Sequence, residues 1–440
     1  MAKGGYRGSS LRMLESFGVS VGDEVLVRTA QGSFEGTVMP RYEFADEEHI
    51  VFKLKTGYNA GIRVDRIASI DVLARGSEPT FRAPPRPKLV SGLPRILIVG
   101  TGGTIASRVD YRTGGVKPAL TSEELYYLVP ELSSMAEIET DAIFNIYSEN
   151  MTPFHWSRLA ERLGRAVEEG YDGMVVTHGT DTLHYTSAAM TFALRDLPVP
   201  VVLVGSQRSS DRPSSDAATN LIGAVTVAGT SPFSGVFVVM HSGLGDDELS
   251  VHLGVRVRKN HSSRRDAFES VGIDPVGRIR RGVLEMDGTG LPSRRKGTGG
   301  FVCRPEFSDK VALLKVHPSF EPALLDVLVQ RGYRAVIIEG TGLGHVPSSL
   351  YPSIRAAVEK GVFIGMTTQT IWGSVRMTVY DTGRDLLSMG VVPLGDMLPE
   401  VALAKASWLA GQATPPDKFG TLMATDMAGE MLRRRAVRRR

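Results

Sequence analysis

From Arg95 onward, short β-branched apolar runs alternate with helical segments, and that alternation admits little other than a parallel sheet wrapped by helices. Strands are read at Ile96-Leu97-Ile98-Val99, Met174-Val175-Val176, Val201-Val202-Leu203-Val204 and Gly235-Val236-Phe237-Val238-Val239-Met240, and a helix at Phe154-His155-Trp156-Ser157-Arg158-Leu159-Ala160-Glu161-Arg162-Leu163. Two of the runs end in threonine-rich turns, Thr101-Gly102-Gly103-Thr104-Ile105-Ala106-Ser107 and Thr177-His178-Gly179-Thr180-Asp181-Thr182. Hydroxyls and a carboxylate therefore gather at the C-terminal ends of two strands, where open α/β sheets bind ligands.

The chain holds 440 residues, too many for one core, and at about 150 residues per domain it divides into two or three. Ahead of the α/β region, Glu24–Arg28, Ser33–Val38, His49–Leu54, Gly61–Val64 and Ile67–Leu73 alternate in polarity and are broken by Gln31-Gly32, Met39-Pro40 and Thr56-Gly57. That pattern predicts a small all-β barrel of SH3- or Sm-like type over residues 1–74. Such a barrel either binds RNA or a peptide, or simply packs against a neighbour; it lacks a dense basic and aromatic face. A proline-rich linker spans 75–94, and the larger α/β domain spans 95–287. A second break, 288–310, precedes a smaller α/β domain over 311–440, with strands at Ala312–Val316, Ala335–Glu339 and Val362–Met366.

A hydrophobic content of 42% with 22% charged residues describes a chain that folds. The formal charge of +3 implies no nucleic-acid binding by itself, yet residues 256–296 carry eleven Lys/Arg against five Asp/Glu, and the tail from Arg433 to Arg440 carries six arginines. Cys303 is the single cysteine, so no intrachain disulfide forms and a cytoplasmic setting is expected. The amino terminus leads into no apolar stretch and no run is long enough to cross a bilayer, so neither a secretory signal nor a membrane role is expected.

A glycine pair after a strand brings backbone N–H groups close to a ligand and often cradles phosphate. Thr101–Ser107 fits neither the dinucleotide fingerprint nor the Walker pattern, because no Lys-Ser/Thr follows the glycines. A threonine hydroxyl beside those amides instead suits a nucleophile with its own oxyanion donors. An unactivated hydroxyl needs a partner to take its proton, and a partly desolvated lysine does this better than a carboxylate. His178, between a strand and a glycine, reads as structural. Ser215 or Asp216 reads as the cap of a helix beginning near Ala217.

The motifs Thr101–Ser107 and His178–Thr182 resemble the paired signatures of the bacterial-type L-asparaginase/glutaminase family, and the likeness runs from about Arg95 through the C-terminal region. The resemblance implies that Thr104 is the nucleophile and that Thr180, Asp181 and Lys259 form a hydroxyl–carboxylate–lysine trio, with Lys259 lying in Val257-Arg258-Lys259-Asn260-His261. It further implies that Tyr111 sits on a lid contacting the nucleophile, and that Ser148 and Glu149, together with Asp181, hold the substrate's α-carboxylate and α-amino groups. The family often has glutamine where Glu149 stands, which leaves the Asn or Gln preference open. It also implies an oligomer in which the small domain completes a neighbouring subunit's site, with Gly340–His345 and Asp381 as contributors.

Members of that family begin almost directly with the first α/β strand. A barrel and Pro-rich linker ahead of it, with Ser148-Glu149-Asn150-Met151 and Ser206–Asp216, resemble the D-subunit family of archaeal glutamyl-tRNA(Gln) amidotransferases. That resemblance implies hydrolysis of glutamine or asparagine, with ammonia passed to an E subunit that binds tRNA and uses ATP and Mg. It implies a homodimer within a two-plus-two heterotetramer, and no cofactor or metal on this chain. A stand-alone cytoplasmic L-asparaginase, with the barrel as an accessory, is the alternative. A non-catalytic RNA-binding protein is a third reading, which the four groups Thr104, Thr180, Asp181 and Lys259 disfavour.

Overall fold

The computed structural model describes residues 5–41, 46–54, 59–76, 92–103, 105, 107–109, 116–118, 129–208, 215–295, 297 and 299–432. Thr104, Tyr111, most of the Pro-rich linker and the Arg-rich tail lie outside the described residues.

The first unit is a five-stranded antiparallel sheet in which Ile67–Ala74, Glu24–Thr29, Gly32–Val38, His49–Leu54 and Asn59–Arg63 lie side by side in that order. Alternation sends Val25, Val27, Ile50, Phe52 and Ile70 into one small core. A helix absent from the sequence reading, Gly8–Ser16, closes that core with Leu14. Tyr6 is buried beside it and donates its hydroxyl to the Met39 carbonyl at 2.7 Å.

The second unit is an eight-stranded sheet. Glu137–Ala142, Arg95–Gly100, Gly173–Thr177, Pro200–Val204 and Gly235–His241 run parallel, as the apolar runs require. Glu248–Leu253, Gly277–Arg280 and Val283–Met286 extend the sheet antiparallel, where the sequence reading assigns no strands. Along the central strands, Leu97, Val99, Met174, Val176, Val201 and Leu203 pack under the helices Pro153–Glu168 and Leu183–Ala193. The alternate residues Ile96, Ile98, Val175, Val202 and Val204 pack under the helix Ala217–Thr230. Each such side chain contributes roughly 1.5–3 kcal/mol on burial, so the two-sided core fixes the register of these strands.

The third unit is a parallel sheet of Val311–Lys315, Ala335–Gly340, Phe363–Thr368 and Val392–Pro393 in sequential order. Val336, Ile338 and Ile364 face the helices Ala323–Gln330 and Tyr351–Glu359. Ala335 and Ile337 face the other way, toward the helix Pro399–Gly411, which shares one core with the larger unit; Phe192 and Trp408 stack across it at 6.1 Å. A helix packed between the small sheet and the helix Leu183–Ala193 is apolar nearly all round, and this one is.

The connector between these two units lies along the larger body. Arg294 donates its backbone N–H to the Pro232 carbonyl at 2.8 Å, Arg304 donates to Ala193 at 2.8 Å, and Leu194-Arg195 pair with Val302-Cys303. Backbone groups with no strand of their own find partners in this way. Past the last helix the chain folds back, and the buried ion pair Lys405–Glu430, at 2.6 Å, anchors the return.

Candidate active site

The chain leaves Arg95–Gly100 for the strand on one side and leaves Gly173–Thr177 for the strand on the other, so these adjacent strands flank the point where strand order reverses. Such a point opens a crevice at the carboxyl ends of the strands. Both threonine-rich turns emerge there. Thr101 is pinned to the neighbouring strand, donating its N–H at 3.1 Å and its hydroxyl at 2.9 Å to the carbonyl of Thr177.

Gly102 and Gly103 then turn through φ values of +116° and +82°, a region that only glycine enters without strain. A Cβ on Gly103 would lie 2.7 Å from the Gly179 nitrogen, and one on Gly102 would lie 2.2 Å from the Ile146 carbonyl oxygen. The first turn therefore rests on the backbone of the second. Further close approaches complete the floor: a Cβ on Gly179 would meet Ser148 Cβ at 2.8 Å, and one on Gly205 would meet Thr180 Cγ2 at 2.7 Å.

The hairpin formed by Val257–Lys259 and Phe268–Ser270 brings the lysine in from the side. Its Nζ donates to Thr180 Oγ1 at 2.8 Å and to Asp181 Oδ1 at 2.7 Å. The lysine side chain is only 8% exposed, the aspartate 68%. The ammonium is thus held inside while the carboxylate faces the mouth, free to meet a charged substrate group. The helix Leu183–Ala193 begins just beyond, and its first unpaired N–H groups add positive potential at this end. Thr182 at its N-cap spends its hydroxyl elsewhere, donating to the Ser148 carbonyl at 2.6 Å and so clipping the Ser148–Asn150 turn to the site.

The structure thus brings together Thr180, Asp181, Lys259 and Ser148, with Gly103 of the first turn against them. Glu149 lies on the same turn as Ser148 and is exposed. His178 is a core histidine: its Nε2 shares a hydrogen bond with Thr186 Oγ1 at 2.9 Å, Trp156 donates to that same oxygen at 3.1 Å, and burial lowers the imidazole pKa to about 4. Asp381 opens the helix Asp381–Ser388 and accepts the Thr382 N–H at 2.8 Å, while His345 Nδ1 lies 3.1 Å from Thr382 Oγ1, so these bonds stay within the small unit.

Of the two residues read as the cap of this helix, Asp216 sits at the N-cap position but makes no side-chain cap bond. Its carboxylate accepts from the N–H groups of Gln207 and Arg208, both at 3.0 Å, from Ser206 Oγ at 3.1 Å and from Asn220 Nδ2 at 2.9 Å. Four donors on the loop after Pro200–Val204 and on the helix flank outcompete the helix terminus. Ser215 Oγ accepts the Ala217 N–H at 3.1 Å instead. Sequence reasoning also missed the group of Arg258 with the buried His184 and Glu400 beside Lys259; a lone acidic residue 141 positions after Lys259 carries no local signal.

Three family descriptions match the chain: "Asparaginase, N-terminal" over residues 95–290, "Glutaminase/Asparaginase C-terminal domain" over 310–423 and "GatD N-terminal domain" over 19–73. The thermostable L-asparaginase from Thermococcus kodakarensis has a similar structure, with a TM-score of 0.68 and 32% identity over 77% of this chain and 99% of that one. L-asparaginase I from Vibrio cholerae O1 biovar eltor has a TM-score of 0.67 at 28% identity, over 77% and 99% of the two chains. The fold is that of the asparaginase and glutaminase class. Proteins described as the D subunit of glutamyl-tRNA(Gln) amidotransferase match the barrel as well: that of Thermofilum pendens is 46% identical, covering 98% of this chain and 97% of its own length, and that of Pyrococcus furiosus is 46% identical, covering 95% and 96%. The chain belongs to the D-subunit family of glutamyl-tRNA(Gln) amidotransferases, as an asparaginase-like component of that enzyme.

Proposed function

We propose that this chain hydrolyses the side-chain amide of glutamine, or of asparagine, through Thr104 and delivers the ammonia to a separate E subunit. The Thr104 oxygen attacks the amide carbon, the carbon–nitrogen bond breaks, and the hydroxyl proton leaves with the nitrogen as ammonia. Water then cleaves the acyl–oxygen bond, returning the threonine and releasing the acid. In its neutral amine form Lys259 takes up the proton of the attacking oxygen through Thr180 and returns it to the leaving nitrogen, and Asp181 holds the lysine while its exposed oxygen meets the substrate ammonium. Ser148 and Glu149 grip the backbone end of the substrate, and Tyr111 closes over the nucleophile. The observation that carries this reading is the pair of bonds from Lys259 Nζ, 2.8 Å to a threonine hydroxyl and 2.7 Å to a carboxylate, on a turn in contact with the Thr101–Gly103 turn.

The E subunit binds the tRNA, uses ATP and Mg to activate the misacylated glutamyl group, and amidates it; this chain needs neither cofactor nor metal. Two copies of each subunit assemble, in the cytoplasm. Among the described residues no helix is long and apolar enough to cross a membrane. The stand-alone asparaginase reading is the less supported one, because it leaves the barrel over residues 19–73 without a role. The test is Thr104→Val, nearly isosteric: turnover falls by about 10³-fold or more with the fold intact. Turnover like that of the unaltered chain would rule out the nucleophile.

A further inference from the structure

The lysine-bearing strand is short, Val257–Lys259, and its side chains alternate in direction. Lys259 points into the crevice, and Val257 is buried in the core of the larger unit. Arg256 and Arg258 point the other way, and each meets a carboxylate of the smaller unit. The Arg256 guanidinium lies 3.2 Å from Asp396 Oδ2 and donates from Nε to the Gly429 carbonyl at 2.8 Å; Arg258 Nη2 lies 3.0 Å from Glu400 Oε1. Asp396 precedes and Glu400 opens the helix Pro399–Gly411, which packs between the small sheet and the helix Leu183–Ala193. The strand is therefore gripped on one face, across the boundary between the units, while it presents its lysine on the other.

Glu400 is almost wholly buried, and such a carboxylate is costly unless paired. Its second oxygen, and Nδ1 of His184 whose Nε2 lies 4.0 Å from Oε1, have no hydrogen-bond partner among the described residues. Apolar packing of the same volume would avoid that cost, so stability gives no reason for the group. Position beside Lys259 does.

We propose that Glu400 is a positioning residue for the amidase reaction: by holding Arg258, it fixes the strand so that Lys259 Nζ stays within reach of both Thr180 and Asp181. This rests on the reading of Lys259 as part of the working site. Because Glu400 belongs to the smaller unit, the geometry at Lys259 depends on how the two units are docked within one chain. Shifts of an ångström in a proton-relay group cost large factors in rate, whereas substrate held mainly by other residues still binds.

The test uses the full chain with its co-purifying partner and measures kcat and KM for glutamine, per folded molecule and well below melting. Glu400→Ala and Arg258→Met should each lower kcat by at least about tenfold with KM within about twofold. The double variant should be no slower than the slower single variant, since both break the same contact. Glu400→Gln keeps the shape and one acceptor for Arg258, so it should recover part of the loss and serves if Glu400→Ala does not fold. Trp408→Leu, two turns further along the same helix, loses its bond to the Arg304 carbonyl and its stack on Phe192, and should lower the melting temperature and leave kcat in place. If Glu400→Ala behaves like that control, if its loss appears in KM, or if the losses of the two single variants multiply, the proposal is overturned. Lys259→Met run alongside separates the two readings. Loss of turnover there with full turnover in Glu400→Ala overturns the positioning role alone, and full turnover in Lys259→Met overturns the site itself.

Discussion

Lys259 and Asp181 form a lopsided ion pair, 2.7 Å apart, with the ammonium end buried and the carboxylate end in solvent. Solvent screens the exposed end, so the pair adds little to stability. Its value lies in orientation. Lys259→Met should therefore leave the melting temperature nearly unchanged and lower kcat by about 10²-fold or more, with a smaller change in KM. Steady-state kinetics on the purified variant decide the point: a rise in KM alone would make Lys259 a substrate-binding or surface residue.

Gly103 has no room for a side chain, because an added Cβ would press on the Gly179 nitrogen at 2.7 Å and the backbone sits at a φ of +82°. Gly103→Ala should cost about 1–3 kcal/mol of stability through backbone strain. It should also separate the two threonine-rich turns and lower turnover by about 10²-fold. Chemical denaturation alongside kinetics checks both, and a variant that keeps its turnover would show that contact between the turns is not needed.

Three buried histidines make the fold acid-sensitive. Burial lowers His178 to about 4 and His184 and His252 to about 3. In the unfolded chain each titrates near 6.5. Between those limits the unfolded state binds protons that the folded state refuses, so stability is fully present above about pH 6.5 and is lost as pH falls toward 4 and 3. Each histidine contributes up to about 1.4 kcal/mol per pH unit to the slope. Denaturant titrations from pH 7.5 to about 5 should show it, and His252→Asn, which keeps a partner for Ser270, should flatten it.

How much of this was legible in the sequence follows from burial. Strands such as Gly173–Thr177 are covered on both faces, so every residue is apolar or small and the run stands out. Glu248–Leu253 and Gly277–Arg280 lie toward the sheet edge and mix polar with apolar residues, so they pass unread. The helix Gly8–Ser16 has a short apolar face that gains meaning only against the barrel core. The Thr180-Asp181 turn shows that a site exists, but Lys259 is one of many basic residues in its stretch, and only the family resemblance singles it out. Glu400 and Asp396 are invisible because their partners lie across a boundary that no local pattern encodes.

A channelled amidase should be slow alone, since ammonia released without an acceptor is lost. It should speed up when its partner and the charged tRNA complete the site around Tyr111. Glutamine labelled at the amide nitrogen is supplied to this chain alone, then with its co-purifying partner, then with partner, ATP, Mg and glutamylated tRNA(Gln), and both hydrolysis rate and label on the tRNA-bound amino acid are followed. Stepwise stimulation is expected, with the labelled nitrogen on the tRNA-bound glutamine only in the complete mixture. Rapid amide hydrolysis by the lone chain, unchanged by partner and tRNA and with no label on the tRNA, would overturn the channelled reading.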